Sequence, residues 1–279
     1  MNRTLMAYML AAIVAFSAIA GITMQPIPLS AQQVTPQQTL PDPVPLATSP
    51  SCGQVVTTNV VLTANLVCEE TDGIIVGAEN VDIDLNGHTI TGPDVTPDGA
   101  TVPTPKDSSK VGVMVPNHNG VTIRDGTIEG FQAGILCTGC QGLTITGVTL
   151  KDNQIGQFST GATTISTRLS TIVGNAIGIA GHSTQLSEIV NNIIFDNDLA
   201  GITLVNSDDA KISLNSITES NNGLYVDNQS NDNFLFWNNV KLNTIDINNA
   251  NGLPVNTNNN QFDQNNCDTS NPSGICIGQ

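Results

Sequence analysis

Asp208 and Asp209 form the only pair of adjacent aspartates in the chain, and Lys211 stands two residues further on. Clustered carboxylates can divide acid and base roles between them, as glycoside hydrolysis requires. A second chemistry needs the lysine. Asp208, Asp209 and Asp227 could help bind Ca²⁺, the cation would neutralise a uronate carboxylate, and Lys211 would remove the proton from the neighbouring carbon. The plainer reading is that Asp208-Asp209 forms a turn ahead of the apolar strand that starts at Lys211.

Cysteine offers a different chemistry. The six cysteines fall into three close pairs, Cys52 with Cys68, Cys137 with Cys140 and Cys267 with Cys276. An even count in an exported chain implies disulfides. Two pairs lie at the ends of the folded region, where each would staple a cap and contribute on the order of a few kcal/mol. The spacing of Cys137 and Cys140 also fits a redox or copper site, but no second cysteine pair and no nearby histidine accompanies it.

Composition narrows the setting. The formal charge is −16 with only eight Lys and Arg, a balance that repels phosphate backbones and argues against nucleic-acid binding. Charged residues make up 11% of the chain, against roughly 25% in ordinary globular proteins. Asn, Thr, Ser, Asp and Gly take their place, and these suit turns better than helix faces. One basic residue, Arg3, precedes an apolar run over residues 5–22, so residues 1–24 read as a signal peptide or an uncleaved signal-anchor. That segment would be the sole contact with a membrane. Residues 25–50 carry seven prolines among glutamines and read as an extended linker. The folded domain is expected at 51–279, in a secreted or cell-surface protein.

Candidate side chains must be positioned by something, and here it is a repeat. Gly112, Gly134, Gly156, Gly178, Gly201 and Gly223 step by 22, 22, 22, 23 and 22 residues, and Asp246 takes the next slot. A second column, Gly126, Val148, Ser170, Asn192, Asn215 and Asn238, keeps the same register. Aliphatic residues sit two after it, from Ile128 to Val240, and three before it, from Ile123 to Leu235, with Thr167 the polar exception. Within each unit the alternation has strand period, as in Val121-Thr122-Ile123. Equivalent strands must therefore stack in parallel at about 4.8 Å per coil. Asn192, Asn215 and Asn238 are expected to form a turn ladder, adopting the left-handed conformation and bonding to their stacked copies. The expected architecture is all-β, a β-solenoid of about eight coils of roughly 22 residues. Residues 91–110 break the period as a polar insertion. The Asn-rich stretch after about residue 248 reads as a C-terminal cap.

This pattern, with its Cys52-Gly53 start and the segment Asp84-Leu85-Asn86-Gly87-His88-Thr89-Ile90, resembles the pectin-lyase-like superfamily of right-handed parallel β-helices, and among them exported β-helix repeat proteins. The resemblance spans residues 51–266. It implies the fold and leaves function open, because the superfamily includes lyases, polygalacturonases, epimerases, tailspikes, adhesins and copper-maturation proteins. Asp208-Asp209 resembles the paired aspartates of polygalacturonases, yet the accompanying Gly-His-Gly and Arg-Ile-Lys segments are missing. The Asp-Pro-His signature of mannuronan epimerases is missing too.

The register also sorts the surface. His118 and His182 fall three coils apart, about 14 Å, and His88 lies farther still, so the histidines cannot share one metal. Two columns should face outward. One reads Met114, Leu136, Phe158, Ala180, Thr203 and Tyr225, an apolar stripe able to stack sugar rings. The other includes Arg124 and Arg168, two coils or about 10 Å apart, a spacing that could meet acidic groups along a polysaccharide. These features point to a non-catalytic protein that binds polysaccharide or a cell-surface glycan through one wall of the solenoid. A polysaccharide lyase, hydrolase or epimerase is the alternative, with Ca²⁺ as the cofactor a lyase would use.

Overall fold

The structure, a computed structural model, describes residues 49–97 and 110–277. The expected signal segment and nearly all of the linker fall outside the described residues, as does most of the 91–110 insertion. From Gln54 to Asn271 the chain runs through short strands that pair only in parallel, as a right-handed parallel β-helix of about nine turns. Among the described residues no helix is long and apolar enough to cross a membrane.

Each turn offers three faces. Face A is a ten-stranded sheet that includes Ala133–Thr138, Ile155–Thr160, Ile177–His182 and Ala200–Val205. Face B includes Ser166–Arg168, Glu188–Val190, Lys211–Ser213 and Phe234–Phe236, and face C includes Thr171–Val173, Ile193–Phe195, Ser216–Thr218 and Asn239–Lys241. Faces B and C share one sixteen-stranded sheet because Thr122–Glu129 and Thr144–Lys151 continue through the corner between them. From Ser170 onward a polar side chain occupies that corner and the strands on either side separate.

The aliphatic columns fill the interior. Ile123, Ile145, Ile189, Ile212 and Leu235 are aligned by pairing and are 0–4% exposed. Thr167 lies in that column too, and its hydroxyl donates to Gln157 Oε1 at 2.7 Å, which meets the requirement of a buried polar atom.

The glycine column marks where coils touch most closely. A Cβ on Gly134, Gly156 or Gly178 would stand 2.5–2.6 Å from the carbonyl oxygen of the next glycine in the column. Gly73 begins the same column, against the Gly112 carbonyl. At its far end Asp246 accepts the N–H groups of Asp268 and Thr269 at 2.8 and 3.0 Å.

The asparagines form a ladder, with one correction to its geometry. The N–H and Nδ2 of Asn192 both donate to Asn215 Oδ1 at 3.0 Å, and Asn215 repeats this with Asn238 and Asn238 with Asn265. The left-handed residue is the one before each: Asn191, Leu214 and Trp237 have φ of 57°, 57° and 56°. The turn is made by that preceding residue, which leaves the ladder asparagine free to point inward. A second ladder, Asn153, Asn175 and Asn197, lines the corner between faces C and A.

Two stability outcomes follow from this geometry. Asn215→Ala strands two donors of Asn192 and is expected to lower unfolding free energy by about 2–3 kcal/mol. Leu214→Asn places a residue suited to positive φ in the turn and is expected to raise it by about 1 kcal/mol. Equilibrium urea unfolding measures both. A neutral Asn215→Ala would refute the ladder as a structural determinant.

Candidate functional site

The four residues proposed for catalysis do not converge. Asp208 accepts the N–H of Asn231 at 2.8 Å. Asp227 Oδ1 accepts the N–H groups of Asn206 and Gln229, each at 3.1 Å, and the Ser230 hydroxyl at 2.6 Å. Both carboxylates therefore hold turns of the coil stack. Asp209 is exposed with φ 57° and forms the turn just before Lys211–Ser213. Only Asp209 and Lys211 meet, in an open depression of about 300 Å³ that Thr164, Ser166, Leu186 and Glu188 also line. Glu188 is the register partner of Lys211. It escaped sequence reasoning although it sits one repeat before that lysine. Ser166 Oγ, in the same lining, is buried without a hydrogen-bond partner.

Metal ligands are also dispersed. Among the described residues no three His, Cys, Asp or Glu side chains gather to hold a metal, so Asp208, Asp209 and Asp227 form no Ca²⁺ cluster. Pro116, Thr138, Thr160 and His182 are successive partners across face A, which leaves His118 three turns from His182. All six cysteines are paired, Cys52 with Cys68, Cys137 with Cys140 and Cys267 with Cys276. Cys137 and Cys140 are 0% and 1% exposed. A redox or copper role for that pair is corrected by this burial, since neither sulfur is an accessible thiolate.

The two outward columns differ in character. Met114, Leu136, Phe158, Ala180, Thr203 and Tyr225 are aligned strand to strand on face A. They form no open platform, because Ala180 is buried and the other five are half-buried. Ile155, Ile177 and Ala180 make a small apolar cluster with Phe158 and Leu199, separate from the main core. On face B, Arg124 is held by Asp82, Asp84 and Asp125 at 3.1, 2.8 and 3.0 Å. The hydrogen bonds it donates to Asp82 and then to Asp125 push its guanidinium pKa above the ordinary value. The expected Arg124–Arg168 pair of anion contacts is thus halved, because Arg124 already has its counter-ions. Arg168 remains exposed.

This arrangement of stacked parallel coils, amide ladders and outward columns places the chain in the class of right-handed parallel β-helix proteins. It belongs to the family described as periplasmic copper-binding protein (NosD), whose profile matches residues 81–276. Among solved structures it is similar to a variant of the periplasmic alginate epimerase AlgG, with 18% identity and a TM-score of 0.52 over 68% of this chain and 56% of that one. AlgG itself gives 15% identity and a TM-score of 0.51, covering 68% and 50%. The Streptococcus pneumoniae surface protein and adhesin PfbA gives 13% and 0.49, covering 76% and 75%. The chain spans about half the length of the epimerase chains, and these likenesses concern the fold. No curated protein matches in sequence.

The family description raises copper directly. Copper takes imidazole, thiolate or thioether donors. All three histidines and all six cysteines of the chain lie in the described residues, and Met114 is the one methionine there. The histidines are dispersed and the cysteines are paired in disulfides, so among the described residues this donor set does not fit a copper site. After loading with Cu²⁺ or Cu⁺ and desalting, the purified protein is expected to retain far less than one metal per chain by elemental analysis. Stoichiometric retention that is lost in His182→Ala would overturn this reading.

Proposed function

We propose that this is an exported β-helix protein that binds polysaccharide or cell-envelope glycan along an outer wall, without cleaving it. The observation that carries this reading is the commitment of Asp208 and Asp227 to turns, which removes two of the four groups that a catalytic cluster would need. A periplasmic family supports export. The similar fold of an alginate epimerase supports a glycan as the partner class. In this reading residues 1–24 direct export, residues 25–50 space the solenoid from the cleavage site or membrane, and residues 51–279 make the binding domain.

A polysaccharide lyase is the second reading, favoured by one observation: Lys211, Glu188 and Asp209 share a depression. There Lys211 would serve as the base. The two are separated by incubating the protein with a panel of uronic-acid polymers, with and without Ca²⁺. The binding reading expects retention of polymer with no new unsaturated ends. Formation of such ends, abolished by Lys211→Ala, would replace it with the lyase.

A further inference from the structure

Face B carries a different kind of surface from face A. Phe234 and Phe236 lie two residues apart on one strand, so both side chains leave the same side of the sheet. Phe234 is 37% exposed, and the Phe236 ring meets Trp237 edge-on at 5.3 Å. Trp237 is 57% exposed. Lys211 is the register partner of Phe234, and Ser213 that of Phe236. Following the Ser213 column back through Val190 leads to Arg168, two turns or about 10 Å away.

These two cations are unusual within the molecule. Lys151 pairs with Glu129 and Asp152, Lys241 with Asp268, and Lys110 donates to the Glu70 carbonyl. Arg124 has its three aspartates. Among the described lysines and arginines, only the side chains of Arg168 and Lys211 make neither an ion pair nor a hydrogen bond, and both residues are exposed. In a chain of net charge −16, two exposed cations without a salt bridge thus stand on face B, beside the corner that carries Trp237, the most exposed aromatic side chain among the described residues.

The backbone adds a second observation. At the corner between faces B and C the left-handed position holds Asp125, Gly147, Leu169, Asn191, Leu214, Trp237 and Gln264 in successive turns. Gly, Asn and Asp tolerate this conformation, whereas a bulky side chain there is strained. Leu169, Leu214 and Trp237 are nonetheless 61%, 53% and 57% exposed, so burial does not compensate the strain. The same combination occurs at the other corners, at Leu186 (φ 54°, 58% exposed) beside face B and at Leu242 (φ 62°, 75% exposed) between faces C and A.

Resting on the glycan-binding reading above, we propose that face B takes an acidic polysaccharide. Its sugar rings stack on Phe234, Phe236 and Trp237, and its anionic groups meet Lys211 and Arg168. The ligand runs along the solenoid axis, whose repeat of about 4.8 Å brings a new outward side chain under it at each turn. Lys211 and Arg168, two turns apart along the axis and two residues apart along the strand, lie about 12 Å from each other, far wider than the phosphate spacing of a duplex. A densely charged nucleic acid would be repelled by the acidic remainder of the surface. The apolar side chains are interleaved with the exposed Asn191 and Glu188, which suits hydroxyl-rich rings better than the continuous apolar patch that a protein or membrane partner requires.

The test is isothermal titration of the full folded protein with alginate oligosaccharides and with a neutral glucan of equal length, at low and high salt. Alginate is expected to bind more tightly at low salt. The double variant Arg168→Gln, Lys211→Gln should weaken it roughly tenfold and remove the salt dependence. Trp237→Asn should weaken binding of both sugars roughly tenfold while raising the thermal midpoint, because asparagine suits the left-handed turn. That pairing separates lost contact from lost folding. Alginate binding that survives these variants but is lost in Phe158→Ala, Tyr225→Ala would overturn face B and keep the glycan-binding reading. No binding to any glycan would overturn both. Binding to lipid vesicles that Trp237→Asn abolishes, with no glycan bound, would assign the edge to a membrane and also overturn the proposal.

Discussion

The structure depends on how closely one coil can approach the next. A parallel solenoid satisfies its backbone only through the neighbouring coils, so the spacing between them is fixed by the strand ladder at about 4.8 Å. At the glycine column this spacing leaves no room for a side chain: a Cβ on Gly178 would stand 2.5 Å from the Gly201 carbonyl oxygen. The same constraint makes the buried asparagines fit. Each Oδ1 lies where it can accept two donors from the preceding coil, and each Nδ2 also reaches a carbonyl, as from Asn215 to Ile189. The corners are thus hydrogen-bonded as fully as the strands, and buried polar residues cost little.

This constraint explains what was legible in the sequence. A glycine that cannot be replaced recurs at a fixed interval, as do Ile145, Ile189 and Ile212, so the period, the inner columns and the outward columns could all be read from residue types. The B–C ladder was visible because three identical residues occupy one slot. Asn153, Asn175 and Asn197 obey the same rule 22 residues apart and were there to be found in the same way. The turn conformation was less legible. The residue with positive φ is the one before the ladder, and there the chain uses Leu214 and Trp237, types that propensity alone would never place in a left-handed turn.

The candidate site was legible only in part, for a related reason. Asp208, Asp209 and Asp227 are the residue types that carboxylate chemistry uses, but they are also the types that close turns, and a solenoid has three corners in every coil. What decides between the roles is the partner: Asp227 accepts three hydrogen bonds from its own and the preceding turn. Those partners are backbone N–H groups and a serine hydroxyl, which no spacing of charged residues reveals. Glu188 and Lys211 share a depression because two strands are in register, and that follows from the repeat once 23-residue steps are allowed.

Charge gives the surface its direction. Most described cations of this acidic chain are matched by local carboxylates or carbonyls, so they contribute to holding coils together and leave little attraction for a ligand. Arg124 illustrates this: it bridges Asp82, Asp84 and Asp125 and so ties its own coil to the preceding one. Arg168 occupies the same column two turns later, where the neighbouring positions hold threonine and valine in place of aspartate. One column therefore contains both an arginine spent on the fold and an arginine left for solvent. The difference lies wholly in what the adjacent coils supply, which is how a uniform repeat can still carry a local surface of its own.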